Sequence, residues 1–424
     1  MEKVLLSAVK ILDRQSPHHQ QIMNVLIVGK QIAQISPTAA PPPTADLTIE
    51  VANAHLSVGW FDMRAGVPAI GLEHKEDLHS ASKAATFGGF TELAILPVSN
   101  PVVQTKEQIR YIIGQSEHLL TQMHPIAAIS TDAKGSEMTE MYDLHTAGAV
   151  AFADGHQPLT DTSLLLKTLQ YLQQFGGLLI NLPDDKHLSK FGQMHEGVSS
   201  TMLGLKGLPA LAEAMGIQRD LNLLRYAGGK IHFSCLSAAV SVELVRQAKK
   251  EGLNVTADVA AHQLAFTDEA LADFDTNLKV KPPFRTEQDR LALIEGLLDG
   301  TIDAIVTDHQ PHDTESKALE FDLAEFGVIG LQTAFTTVNT YAPQLTTELI
   351  IEKFTTAPRQ ILGLPSPTIQ EGKQANLTLF NPEQKWIFTE KDIRSKSKNS
   401  PFIGKALQGK IIAVFNQGKK EIFN

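Results

Sequence analysis

IHFSCLSAAVSVELVRQAKKEGLNVTAD, residues Ile231 to Asp258, decides the fold class of this chain. Ile231–Cys235 is a short apolar run of strand length. AAVSVELVRQAKKEG (Ala238–Gly252) then carries apolar residues at i, i+3 and i+4, the period of a helix with one buried face. Gly252 ends that pattern, and Asn254–Asp258 begins a second apolar run. Strand, helix and strand within roughly thirty residues form the unit that lays parallel strands side by side.

The same alternation continues in both directions. Candidate strands are Ser57–Phe61, Phe90–Leu96, Ile126–Ser130, Gly148–Phe152, Leu178–Leu182 and Asp303–Thr307, and SLLLKTLQYLQQF (Ser163–Phe175) is a second clear helix. Eight strands alternating with helices over residues 57–364 predict a (β/α)8 TIM-type barrel. A doubly wound sheet is the rival, but no Gly-rich phosphate turn follows the first strand.

The two chain ends have a different texture. NVLIVGKQIAQI (Asn24–Ile35) breaks at Gly29-Lys30 as a hairpin, and the proline-rich SPTAAPPPTAD (Ser36–Asp46) is a loop. NLTLF (Asn376–Phe380), KWIF (Lys385–Phe388) and KIIAVFNQGKKEIF (Lys410–Phe423) read as strands, the last turning at Asn416–Gly418. Residues 1–56 plus 365–424 are therefore expected to form a small β-sandwich flanking the barrel, residues 57–364.

Composition narrows the function classes. The 424 residues are 43% hydrophobic and 20% charged, ample for a large core, and 37 basic against 47 acidic residues leave a net charge of −10. That balance argues against a nucleic-acid groove. Even the basic segment Lys385–Lys420 lacks interleaved aromatics and reads as a solvated face. Cys235, the single cysteine, excludes a disulfide framework and any Cys-rich zinc module, and fits a reducing cytoplasm. No apolar run is long enough to span a membrane, and the N-terminus lacks signal-peptide features. A cytoplasmic protein with neither nucleic-acid nor membrane partners is expected.

A barrel presents its site at the C-terminal ends of its strands. Those ends carry Asp62 and Arg64 after the first strand, Asp154 after the fourth, Cys235 on the sixth, His262 after the seventh and Asp308-His309 after the eighth. One at a time these are turn residues, a packed thiol and loop histidines.

The longer strings around them are more specific. GLEHKED (Gly71–Asp77), GAVAFAD (Gly148–Asp154), RDLNLL (Arg219–Leu224), Ser241–Leu264, DTNLKVKPPFR (Asp275–Arg285), DGTIDAIVTDHQPH (Asp299–His312), FGVIGLQTAF (Phe326–Phe335) and SKSKNSPFIGKALQGK (Ser395–Lys410) resemble dihydroorotase, a cyclic amidohydrolase of pyrimidine synthesis. The resemblance covers essentially the whole chain and implies a barrel with a flanking β-sandwich. It also implies zinc, which polarises the ring amide and lowers the pKa of a bound water to about 7. The family's ligands are a His-x-His after the first strand, a bridging acid in mid-barrel, and one histidine on each of the fifth and sixth strands. An aspartate on the last strand serves as general base.

Here the resemblance aligns Arg64 and Gly66 with the His-x-His, Leu182 with the fifth-strand histidine and Cys235 with the sixth-strand one. Pro68 stands at the substrate-carboxylate arginine and Val98 at a substrate-contacting asparagine. Asp154 matches the bridging acid, Asp308 the general base, and Asn277, His262 and His312 the positions around the substrate. Although the chain has fifteen histidines, no His-x-His occurs in it. Asp154, Cys235 and Asp308 are the only residual metal candidates, and no cofactor is expected.

The expected function is that of a non-catalytic homologue, homo-oligomeric, serving as structural or regulatory partner of aspartate carbamoyltransferase. The alternative is an active cyclic amidohydrolase, interconverting dihydroorotate and carbamoyl aspartate with a rebuilt or single-metal site. A third reading, a small-ligand binding module, rests on Asn277 and His312 at the barrel mouth.

Overall fold

The computed structural model describes residues 2–423. Strands β1 (Lys3–Leu12), β2 (Ile22–Val28), β3 (Gln31–Pro37), β4 (Leu47–Glu50) and β5 (His55–Val58) come first. They are followed by β6 (Trp60–Ala65), β7 (Phe90–Ile95), β8 (Gln122–Ala127), β9 (Ala151–Phe152) and β10 (Leu179–Asn181). After a two-stranded ribbon, β11 (Met194–His195) and β12 (Gly207–Leu208), come β13 (Ile231–Phe233), β14 (Val255–Ala260) and β15 (Ala304–Val306). The chain ends with β16 (Leu377–Ile387), β17 (Ala406–Asn416) and β18 (Lys419–Ile422).

Strands β6 to β10 and β13 to β15 pair in parallel in sequence order. A parallel bridge between Ala65 and His309 brings the two edges together, so the barrel is nearly closed. Helices such as Thr162–Leu172 and Ala239–Lys250 occupy the intervals. One buried cluster takes Phe61, Ala94, Ile126, Ala151, Ile180 and Ala304 from six different strands and forms the barrel's centre. Another mixes strand residues such as Leu93 and Leu179 with helix residues such as Leu165 and Val245. With apolar neighbours on both faces, these strands are continuous apolar runs rather than alternating ones.

The chain ends build the second sheet, in the order β18-β17-β16-β5-β1-β2-β3 with β4 on β1. The β2–β3 hairpin turns at Gly29, whose φ of +58° suits a residue without a side chain. The expected first barrel strand, Ser57–Phe61, divides in two. Its first part lies in β5 and pairs with β1 and β16, while the barrel strand begins at Trp60. Gly59 makes the crossing, at a place where a Cβ would stand 1.9 Å from Asn376 Oδ1 and 2.2 Å from Thr91 Oγ1. Asp62 and Arg64 therefore sit on the first barrel strand, not after it.

Barrel and sheet share a continuous core. The Trp60 ring lies 4.8 Å from Phe335, 5.4 Å from Phe380 of β16 and 5.9 Å from both Phe90 and Phe354. Glu92 on β7 binds Arg359 at 2.6 Å, His124 at 2.9 Å and Asn376 at 3.0 Å. Burial alone would raise the Glu92 pKa, but Arg359 and His124 bring it down to about 2. Among the described residues no helix is long and apolar enough to cross a membrane.

Candidate functional site

The ends of β6 and β15 meet at the barrel mouth, where the Gly66 N–H donates to the His309 carbonyl at 2.7 Å. That closure places Arg64 against Asp308, with Nε donating to Oδ1 at 2.9 Å and both side chains 2% exposed. Asp308 Oδ2 accepts from Gln310 Nε2 at 2.9 Å, so both carboxylate oxygens are engaged. Asp308 adopts φ +43°, a strained conformation for a residue with a side chain. Burial works to raise its pKa, yet the Arg64 guanidinium holds it below the ordinary carboxylate value. Burial likewise opposes the charge on Arg64, but the Asp308 and Asp258 carboxylates hold its pKa above normal. Asp62, one turn of the pleat below, accepts from Arg64 N and Thr307 N, and burial raises its pKa to about 6.

Cys235 lies just beyond β13 at φ +58°, its N–H donating to Asp258 Oδ1 at 2.6 Å. Asp258 also accepts from Ser234 Oγ at 2.9 Å and lies 2.8 Å from His232 Nε2. Burial pushes the Cys235 pKa well above the ordinary thiol value, so the group is a neutral thiol rather than a thiolate. It packs with Leu182 in the central cluster. Asp154 faces the loop after β8, accepting from Ile129 N and Ser130 N at 2.9 Å each and from Ser130 Oγ. Burial raises its pKa. The three residual metal candidates are thus satisfied separately. Among the described residues no group of three His, Cys, Asp or Glu side chains could hold a metal ion. The Gly66 position is closed as well: a Cβ there would stand 2.8 Å from the His309 carbonyl oxygen and 3.2 Å from His156 Nε2.

Above the ion pair lies a cavity of about 430 Å³, walled in part by Gly66, Pro68, Val98, His156, Leu182 and His312. His156 is the residue that sequence reasoning missed. It stands two positions beyond Asp154 in GAVAFADGH, and its Nδ1 is 3.4 Å from an Arg64 Nη. Burial, then the Arg64 charge, lowers its pKa to about 4. His312 Nε2 donates to the Phe326 carbonyl at 2.8 Å, and Nδ1 faces Lys75 Nζ at 3.5 Å. Burial again brings its pKa to about 4. His262 packs edge-on against Phe284 with Nδ1 unpartnered, and burial lowers its pKa to about 4. Asn277 opens instead onto an adjoining cavity of about 300 Å³ with Lys317 and Lys398, and His312 lines both cavities.

Comparison with known proteins accords with this architecture. The family model described as Dihydro-orotase-like matches residues 56–241, and that of the Amidohydrolase family matches residues 200–420. The dihydroorotase of Syntrophus aciditrophicus is 37% identical over 420 residues, 98% of each chain. That of Pelotomaculum thermopropionicum is 40% identical over 390 residues, 91% of each. In fold, the chain is similar to the L-hydantoinase of Arthrobacter aurescens, with a TM-score of 0.85 at 21% identity, covering 100% of this chain and 98% of that one.

These matches correct the expectation that no cofactor is involved. Both matched families depend on zinc, so zinc is the cofactor they imply. The residues that the sequence resemblance aligns with the family's ligand positions do not fit it: Arg64, Gly66 and Leu182 carry no side-chain lone pair to give, and the Cys235 thiol is held in its neutral form.

Proposed function

The chain belongs to the dihydroorotase family of the amidohydrolase superfamily, and from that premise we propose a dihydroorotase-like protein whose barrel does not turn over dihydroorotate. It acts instead as a structural or regulatory partner of aspartate carbamoyltransferase, as a homo-oligomer in the cytoplasm.

The observation that carries this reading is the buried Arg64–Asp308 ion pair. Asp308 occupies the general-base position, and a base must meet its proton with a free oxygen and a pKa near the working pH. Here both oxygens are taken and the pKa is depressed. A guanidinium does not give up its proton, so Arg64 cannot act in its place. Pro68 and Val98 line the cavity where the family's arginine and asparagine would receive substrate, and neither offers a polar side chain. Kept length argues for a kept surface, since the chain spans 98% of a relative named for the activity.

The test is conversion of dihydroorotate and of carbamoyl aspartate by the purified chain, with and without added zinc. No turnover is expected in either condition. Turnover abolished by Asp308→Ala would establish the alternative, an active cyclic amidohydrolase with a rebuilt site. Co-purification with aspartate carbamoyltransferase at a fixed stoichiometry supports the partnership, and separate elution at micromolar concentrations counts against it.

A further inference from the structure

A cavity of about 380 Å³ opens on the barrel's flank, between the helix Leu78–Phe87 and the strands β16, β17 and β18. None of the described residues lining it lines either cavity at the mouth. Its volume falls within the range of small-molecule sites. We propose that it holds a guanine-type base, a neutral planar ring with two adjacent N–H donors beside a carbonyl, set among Phe87, Trp386 and Phe423 and read by Glu421 and Arg394. The site goes beyond the function proposed above and is independent of what the mouth does.

Three aromatic side chains supply planar surface. The Phe87 ring lies 5.2 Å from Phe423 and 6.1 Å from Trp386, and the Trp386 indole is fixed by donating Nε1–H to the Gly409 carbonyl at 2.8 Å. Bases stack on such rings whatever their identity, which gives affinity without selection. Arg394 stands 5.2 Å from the Phe87 ring centroid. Gln332 fixes its backbone, accepting from Arg394 N at 2.7 Å while donating from Nε2 to the Asp392 carbonyl at 2.7 Å. Arg394 Nη1 donates to the Lys391 carbonyl at 2.9 Å, which leaves the rest of the guanidinium fork for a ligand.

Glu421 supplies the selection. It and Phe423, two residues apart, line the cavity from the sheet-edge strand β18. Its side chain is half-buried, and among the described residues it has no hydrogen bond or ion pair. Burial raises its pKa above the ordinary carboxylate value, against the pull of Arg394 and Lys83. A carboxylate presents two acceptor oxygens side by side, so its complement is an edge with two adjacent N–H donors. Guanine has that edge, followed by a carbonyl oxygen for the guanidinium, whereas adenine turns a bare ring nitrogen to the same place. An organic cation such as an amidinium also carries paired donors. Because Arg394 and Lys83 already act on Glu421, a neutral edge meets less repulsion there.

Isothermal titration of the full chain with guanosine, adenosine and benzamidine tests the site. Guanosine is expected to bind about tenfold more tightly than adenosine, and more tightly than benzamidine. Guanosine and adenosine monophosphates repeat the comparison, and the same base preference is expected whether the base arrives on a nucleoside or a nucleotide. Glu421→Gln keeps the side chain's shape with a single acceptor and should weaken guanosine binding about tenfold. Trp386→Leu removes a stacking surface and should weaken it about fivefold. Glu421 is half-exposed on an edge strand, so its variant remains informative if Trp386→Leu fails to fold. Equal affinity for guanosine and adenosine, tighter binding of benzamidine, absence of saturable guanosine binding by about 1 mM, or unaltered binding by folded Glu421→Gln would each overturn the proposal.

Discussion

Arg64 and Asp308 are each untenable alone at 2% exposure, because a buried charge must be paired or neutralised. Arg64→Met would strand the Asp308 carboxylate and is expected to lower stability by about 3–5 kcal/mol in denaturant titration. Adding Asp308→Leu should recover most of that loss, because the stranded charge is removed with its partner. A double variant no more stable than Arg64→Met would show that the pair is not what the site depends on. The buried histidines give a pH signature. His156 and His262 have folded pKa values of about 4, whereas unfolded histidine titrates near 6.5. As pH falls from 6.5 toward 4 the unfolded chain takes up protons that the folded chain refuses, so stability must drop across that window. His262→Phe, which keeps a ring beside Phe284, should flatten the drop, as measured by chemical denaturation at stepped pH.

At the scale of elements, the barrel mouth has closed around the end of β6. Gly66 donates to the His309 carbonyl at 2.7 Å, and the same oxygen would lie 2.8 Å from a Cβ on residue 66. Gly66→Ala must push backbone rather than a flexible side chain, and is expected to cost about 1–3 kcal/mol, read as a fall in the denaturation midpoint. A neutral effect would mean that the position still admits a side chain. Much at this scale was legible in advance, since the helix Ala239–Lys250 and strand β14 follow directly from apolar spacing. The division of Ser57–Phe61 between two sheets was not. A run of apolar residues looks the same whichever sheet it joins, and only the close approach of Asn376 and Thr91 to Gly59 marks the crossing.

For the whole molecule, Trp60 ties the two layers together, packing on Phe90 and Phe354 of the barrel side and on Phe380 of β16. Trp60→Ala is expected to lower stability by about 3–5 kcal/mol. Because Glu92 and Asn376 also bridge the layers, barrel and flanking sheet should unfold in one transition, with coincident tryptophan fluorescence and far-UV circular dichroism curves. Separated curves would show that the shared core does not couple them. The sequence by itself determined the alternation of strands and helices, the β-rich ends and the absence of a His-x-His, with the replacements that the family resemblance assigns, because periodicity and residue identity are local properties. Only the tertiary structure decided what the replacements do. It set Arg64 on Asp308 across 244 residues, turned Asp154 away to the Ser130 loop and brought His156 to the mouth. Those relations depend on which strand ends meet when the barrel closes, and no spacing along the chain records that.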